Sequence, residues 1–175
     1  MELPPNEAER LAALVNYGIL DTEFEESFDR VTRIAANVFE VPIALVSLID
    51  GYRQWFKSAV GLKVRETPRE ISFCTHAIMG SELFIVADAS CDSRFSANPL
   101  VTSDPNIRFY AGAPLIDHEG YALGTMCVID RAPRAAMSNK QQAILTDLAG
   151  IIVDLMEARR LRRTLARHAA TIQTP

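Results

Sequence analysis

The sequence predicts an α+β fold, an antiparallel sheet with helices packed on it, and three observations carry that prediction. Two strand-like runs meet at an Asp50-Gly51 turn, and two more flank the turn at residues 117–120. Segments near both chain ends repeat their apolar residues at helical spacing. No repeat, low-complexity tract or linker divides the 175 residues, a length that fits one domain of ordinary size.

Asn6 is placed to cap a first helix whose opening turn carries Glu7 and Glu9 and whose apolar side is Leu11, Leu14 and Val15. Gly18, after Tyr17, stops it, because glycine accepts the left-handed conformation common at helix ends. Thr22 with Glu25 three residues on reads as a capping box, and Phe28, Val31, Ile34, Ala35 and Val38 as the buried stripe of the helix that follows. Val41-Pro42 ends it. Residues 42–50, almost wholly apolar, read as a strand covered on both faces, and the mixed run 53–61 as its hairpin partner.

A polar, proline-bearing stretch at 62–71 leads into a short helix in SFCTHAIMG, and ELFIVAD (82–88) reads as a third strand. Residues 89–107 hold turn formers throughout (Asp92, Ser93, Asn98, Pro99, Asp104, Pro105, Asn106), the kind of long irregular segment that is functional or mobile. Residues 108–116 and 121–130 form the second hairpin. A long helix then runs from about Ser138, with Ile144, Leu148, Ile151, Ile152 and Leu155 toward the sheet. Beyond them Ala158, Leu161, Leu165, His168 and Ile172 fall 3, 4, 3 and 4 apart, the spacing of a short coiled-coil seam and hence of a homodimer.

A net charge of -4 argues against a general nucleic-acid binder, and the local cluster Arg159, Arg160, Arg162, Arg163 and Arg167 reads as the solvated face of a helix. The first residues lack the apolar core of a signal peptide, and no run reaches the length of a membrane span. Three cysteines without paired spacing imply no disulfide framework. The expectation is a cytoplasmic protein with no nucleic-acid and no membrane partner. Phosphate-loop, zinc-protease, nucleophile-elbow and paired-cysteine motifs are absent, so the expectation is also that the chain is not an enzyme and has no catalytic residue. Cys74, His76 and Cys91 lack a fourth partner for zinc, so no metal site is expected.

The blocks RQWFKSAVGL (53–62), ETPREISFCTHAI (66–78), DSRFSANPLV (92–101), IRFYAGAPL (107–115) and LGTMCVID (123–130), with NYGILDT (16–22) ahead of them, resemble a bacterial subgroup of GAF domains. That subgroup stands ahead of histidine kinase or diguanylate cyclase modules, and the resemblance covers about residues 10–155. It implies a central sheet of about six strands, helices from the two chain ends on one face, and a loop-roofed pocket on the other. It divides the chain into a sensory domain, 1–157, and an extension of the last helix, 158–175, for signalling or dimerisation. The output module would then lie on another chain or in a part missing here.

In that frame Phe56, Phe73, Cys74, His76, Phe95, Tyr110 and Met126 are candidates to line the pocket, with Arg94 and Asp88 as polar groups. Trp55, Phe56 and Phe109 also suit the core. Asp92 with Arg94 suits an ion pair that orders the loop, and His76 a bond to a backbone carbonyl. The family's ligands do not transfer readily. A bilin anchor needs a cysteine followed by histidine, which residues 96–107 lack. The only Asn-Lys pair of a cyclic-nucleotide signature, Asn139-Lys140, lies on the last helix, and haem would rest on His76 alone. The cofactor is unknown.

Free methionine sulfoxide reductases of the family carry a cysteine where SFCTHA has Cys74, but also one in the segment matching 105–110, which has none here. A cysteine opening a helix has a lowered pKa, and a lone one equally suits a small buried apolar residue. Three readings follow. The first is a sensory domain that binds a small molecule or relays a signal through a dimer interface. The others are a ligand-free structural or interaction domain and a thiol-dependent reductase.

Overall fold

The computed structural model describes the backbone of residues 2–172 and the side chains as far as Ala170. Helices α1 (Glu7–Tyr17) and α2 (Glu26–Val38) precede a hairpin of β1 (Ile43–Ile49) and β2 (Arg53–Val60). Then come β3 (Glu66–Pro68), a 3-10 turn at Arg69–Ile71, α3 (Phe73–Ala77), β4 (Phe84–Val86) and α4 (Pro99–Thr102). A second hairpin, β5 (Phe109–Ile116) and β6 (Ala122–Asp130), leads into the long helix α5 (Asn139–Ile172), which crosses residues 157 and 158 without a break. The strands form one antiparallel six-stranded sheet in the order β3-β2-β1-β6-β5-β4. The sixth strand, β3, sits in the polar stretch where the residues showed no strand. It is three residues at the sheet edge, paired only with β2, and needs no apolar alternation.

Alternation in the central strands splits the core into two layers. Ala44, Val46, Leu48, Trp55, Phe109, Ala111, Ala113, Met126 and Val128 meet the helices, where Leu14, Tyr17, Phe28, Val31, Leu145, Leu148, Ile152 and Met156 pack on them. Ile43, Leu45, Ile49, Phe56, Tyr110, Cys127 and Ile129 face the other way, against Phe73, Cys74, Phe95, Val101 and Ile107. Met126 therefore belongs to the helix layer and not to a pocket wall. β1 and β6 run close together at Gly124, where a Cβ would stand 1.9 Å from the Ser47 carbonyl oxygen.

The β1–β2 pairing breaks register between Val46 and Ser47, with Ser47 opposite Phe56 and Val46 opposite Ser58. Lys57 is the extra residue of this bulge. Phe56 consequently points to one layer while Lys57 and Ser58 both lie under α2, and the Lys57 side chain is fully buried. Its Nζ donates to Glu25 Oε1 (2.8 Å), the Glu23 carbonyl (2.6 Å) and Thr22 Oγ1 (3.0 Å). Burial pushes the ammonium below its ordinary pKa, against the pull of Glu25.

This arrangement replaces the expected capping box. Thr22 donates to the Ile19 carbonyl, helix α2 begins only at Glu26, and Glu25 serves Lys57 and Arg159. The buried stripe is Phe28, Val31, Thr32 and Ala35, while Ile34 and Val38 are exposed. Thr32 is drawn in by hydrogen bonds to Ser58 and the Asp29 carbonyl. Asn6 does stand at the N-cap of α1, but its side chain caps nothing, and Glu7 instead takes Arg10 and Arg69.

On α5, Leu145, Leu148, Ala149, Ile152, Val153 and Met156 are the buried apolar residues, and Ile151 is exposed. The basic cluster is a solvated face only in part: Arg162 and Arg167 are exposed, whereas Arg159, Arg160 and Arg163 are half-buried. Gly18 ends α1 in the left-handed conformation, and the carbonyls left over there accept from α5: Arg159 Nη1 reaches Gly18 O (2.9 Å) and Arg163 Nη1 reaches Tyr17 O (2.6 Å). Arg160 pairs with Glu157, which accepts the Tyr17 hydroxyl. Along the predicted seam Leu161 and Leu165 are exposed, and the side chain of Ile172 lies outside the described residues.

Two glycines test this packing. Gly124→Ala should destabilise the chain by about 3 kcal/mol in urea unfolding, because β1 has no room for a methyl group. Gly150→Ala, in α5 with nothing within 4 Å of the new Cβ, should stabilise it by roughly 0.5–1 kcal/mol. Equal effects of the two would refute the close β1–β6 approach.

Candidate functional site

On the face of the sheet opposite α5 lies a cavity of about 500 Å³. The strands supply its floor through Leu45, Phe56, Tyr110 and Ile129. α3 contributes Phe73 and Cys74, and two loops close the sides, residues 61–64 and the stretch holding Leu100, Asp104, Pro105 and Ile107. Most of this lining is apolar, as in ligand pockets generally.

Besides Cys74 and Tyr110, an amide, a hydroxyl, two cations and the Asp104 carboxylate interrupt it. The buried Gln54 amide accepts the Ser72 hydroxyl through Oε1, and its nitrogen donates to no acceptor among the described residues. Thr67 Oγ1 is buried with no partner. Lys63 and Arg131 stand exposed at the rim, and neither takes part in the salt bridges of the described residues.

Cys74 is held tightly. Ser72 caps α3 by accepting from the Thr75 amide (3.2 Å), which sets Cys74 in the first turn. Cys74 Sγ accepts from Tyr110 OH (3.2 Å) and Thr125 Oγ1 (3.1 Å), and Cys127 Sγ lies 3.9 Å away. Tyr110 can bring its hydroxyl there because the residue two along the strand is Gly112, where a Cβ would meet that oxygen at 2.2 Å. Burial raises the Cys74 pKa, but hydrogen bonds from Cys127, Ser47, Thr125 and Tyr110 outweigh it and bring the thiol down to about 6. Burial, and then the neighbouring thiols, push Tyr110 up, and the hydrogen bond to Cys74 together with burial pushes Cys127 up. The residues had suggested the helix N-terminus as the cause, whereas hydroxyl and thiol donors on β1, β5 and β6 carry the effect.

Of the sequence candidates, Phe56, Cys74 and Tyr110 line this cavity, and Phe73 with them. Phe95 is buried behind Phe73, their rings stacked at 4.0 Å. His76 is exposed and set edge-on to Phe95 at 4.8 Å. The flanking rings and the Arg94 charge hold its pKa below the ordinary value. Arg94 lies over Phe84 and Phe95 and pairs with Asp92 (2.6 Å), so that loop tie does form. Asp88 accepts from Ser90 and Cys91 at the start of the same segment. None of these four lines the cavity; His76 and Arg94 pack on Phe95, and Asp88 stands apart from them.

The segment 89–107 is better anchored than its composition suggests. Ala89, Phe95, Val101 and Ile107 are buried, and Asn98 caps α4 while donating to the Ile71 carbonyl (2.9 Å). Gln54, Lys63, Thr67 and Arg131 were missed. No motif marks them, and only the pairing of β2 with β3 brings Gln54 opposite Thr67. Among the described residues no group of histidine, cysteine and carboxylate side chains could hold a metal, and no helix is long and apolar enough to cross a membrane.

With the geometry in hand, comparison with known proteins gives three results. The model of the GAF domain family matches residues 23–153. A cyclic di-GMP phosphodiesterase of Pseudomonas aeruginosa is 45% identical over 150 residues, 86% of this chain and 26% of that protein. The chain thus spans about a quarter of the length of that relative. Among solved structures, the GAF domain of an Acinetobacter phosphoenolpyruvate-protein phosphotransferase superposes with a TM-score of 0.64 at 16% identity, covering 89% of this chain and 95% of that one. The free methionine-R-sulfoxide reductase of Neisseria meningitidis superposes at 0.63, with 16% identity and coverage of 93% and 96%. At such identities these two show the fold alone.

The Pseudomonas relative corrects the expectation that the chain is not an enzyme, since it bears an enzyme's name. The absence of catalytic motifs from 175 residues does not carry that conclusion when a relative extends so far beyond the matched part.

The thiol chemistry gives a direct check. In Cys91→Ser protein, the thiolate absorbance should rise as pH passes through about 6. In Tyr110→Phe it should rise at higher pH, because a donor to the charged form is lost. Titration in both proteins only near the ordinary cysteine value of about 8.5 would contradict the hydrogen-bonded assignment.

Proposed function

Taking the chain as the match over residues 23–153 shows it to be, a member of the GAF domain family, we propose that it is a regulatory domain for cyclic di-GMP turnover. In this reading it binds a small ligand with an apolar body and an anionic group, and passes occupancy to an output module through α5. The observation that carries the ligand reading is the cavity itself. Its 500 Å³ suits a small organic molecule, and its walls are chiefly apolar. Gln54 Nε2 and Thr67 Oγ1 have no partner among the described residues, and Lys63 and Arg131 stand at the cavity mouth. A bound carboxylate or phosphate would give the rim cations a partner, and an acceptor on the ligand would satisfy the buried amide. The 45% identity to a cyclic di-GMP phosphodiesterase supports the output, ahead of the kinase or cyclase that the resemblance alone suggested.

The route is physical. The ligand would rest on β1, β2, β5 and β6, whose opposite faces carry α2 and α5. Homodimer formation through the exposed Leu161 and Leu165 on α5 would place two such helices side by side at the exit.

The test has two arms. Calorimetry with a panel of aromatic and branched aliphatic carboxylates and their neutral amides should find carboxylates that bind about tenfold tighter than the matching amides, the worth of one charge-assisted hydrogen bond. Lys63→Ala with Arg131→Ala should abolish the difference. Substituting the chain for the matching part of the Pseudomonas phosphodiesterase should make cyclic di-GMP hydrolysis respond to the same compounds. No binding by any member of the panel, or hydrolysis indifferent to those that bind, would overturn the corresponding half of the reading.

A further inference from the structure

Beyond the ligand reading, and independent of it, we propose that Cys74 and Cys127 are a peroxide-modified pair that closes to a reversible disulfide behind the cavity wall. Four observations support this. The sulfurs are 3.9 Å apart, so side-chain rotation toward the bond length of about 2.05 Å closes the gap. The cysteines come from different elements, α3 and the middle of β6, which puts the bond across a packing interface and not within one strand. Cys74 belongs to the cavity wall, giving a small solute access to a residue that is otherwise buried. Tyr110 and Thr125 both aim hydroxyls at Cys74 Sγ, an arrangement that favours the nucleophilic anion at Cys74 over Cys127.

The oxidant is a hydroperoxide small enough for the cavity. Cys74 thiolate attacks one peroxide oxygen, the O–O bond breaks, and the departing alkoxide takes up a proton, matching the one the thiol gave on ionising. Cys74 is then a sulfenic acid. The Cys127 sulfur attacks the Cys74 sulfur, the S–O bond breaks, and hydroxide leaves as water with the proton from Cys127. Two thiols and one hydroperoxide become one disulfide, one alcohol and one water, with two electrons passing from the sulfurs to the peroxide. For hydrogen peroxide the alcohol is a second water. Burial of both sulfurs leaves Cys127 as the thiol in reach of the sulfenic acid.

The consequence is structural. Cys127 pairs in register with Leu45 on β1 and Gly112 on β5, at the centre of the sheet. A bond there fastens α3 to that centre and redraws the part of the cavity wall made by Phe73 and Cys74.

Cys91→Ser protein removes the exposed cysteine, which lies outside the pair. After hydrogen peroxide it should lose two hydrogens in mass, lose both remaining titratable thiols, and yield a linked peptide joining residues 74 and 127. Dithiothreitol should restore it. Cys127→Ser should instead hold Cys74 as a sulfenic acid trapped by dimedone. Circular dichroism reports whether that variant folds, and the linked peptide from the Cys91→Ser protein decides the matter whatever it reports. Survival of both buried thiols under peroxide that oxidises Cys91 in the parent, or conversion of Cys74 to sulfinic acid without a linked peptide, would overturn the proposal.

Discussion

A lysine placed under a helix by a β-bulge has to find acceptors where it lands, and Lys57 finds them in the segment between α1 and α2. A buried ammonium without partners would cost several kcal/mol, so the chain from Thr22 to Glu25 is committed to lie over the bulge. Glu25 then has one oxygen that accepts from both Lys57 and Arg159. Burial alone would raise its pKa, and the two cations hold it below the ordinary carboxylate value. The pair keeps its charge as pH falls until the depressed Glu25 pKa is reached, and the tie weakens only below that point. From Arg159 the constraint continues along α5, whose guanidinium groups cap the end of α1. One out-of-register residue in β2 thus fixes how the two terminal regions of the chain meet over the sheet.

The opposite face is organised by a different economy. It has no long helix to cover it, so short elements do the work: α3 held by Ser72 on Gln54, and the segment 89–107 pinned by Phe95, Val101 and Ile107. Short elements cannot fill the whole face, and the space left over is the cavity. Its chemistry follows from the strand registers. Ser47, Thr125 and Cys127 share one side of neighbouring strands, and Tyr110 reaches them over Gly112, so four polar or polarisable groups converge on Cys74. The residues between them, Val46 and Met126, pack under the helices. Each central strand therefore touches the cavity with one set of side chains and the output helix side with the other.

Much of this was legible in the residues, for reasons that differ by element. The two hairpins, the end of α1 at Gly18 and the short helix α3 are set by local chemistry and read correctly. The Thr22–Glu25 box read wrongly because a distant lysine competes for both residues, and nothing local announces a bulge thirty-odd positions on. Arg159 and Arg163 of α5 read as solvent-facing because they bond backbone carbonyls at the end of α1, which leave no mark in a sequence. At the site, Phe56, Cys74 and Tyr110 come from strands and a capped helix, whereas His76, Arg94, Phe95 and Asp88 lie in or beside the irregular segment and outside the cavity lining. The cavity's own polar groups, Gln54 and Thr67, are brought together by an edge strand too short to announce itself.

The claim that matters most is that Glu25 ties α5 to the sheet. Hydrogen exchange in Glu25→Ala, compared with the parent chain under identical conditions, tests it directly. The account predicts faster exchange in two places at once, the amides of residues 19–27 and those of residues 157–163, while β1 and β6 stay as protected as before. Faster exchange around residue 25 alone, with residues 157–163 unchanged, would contradict it.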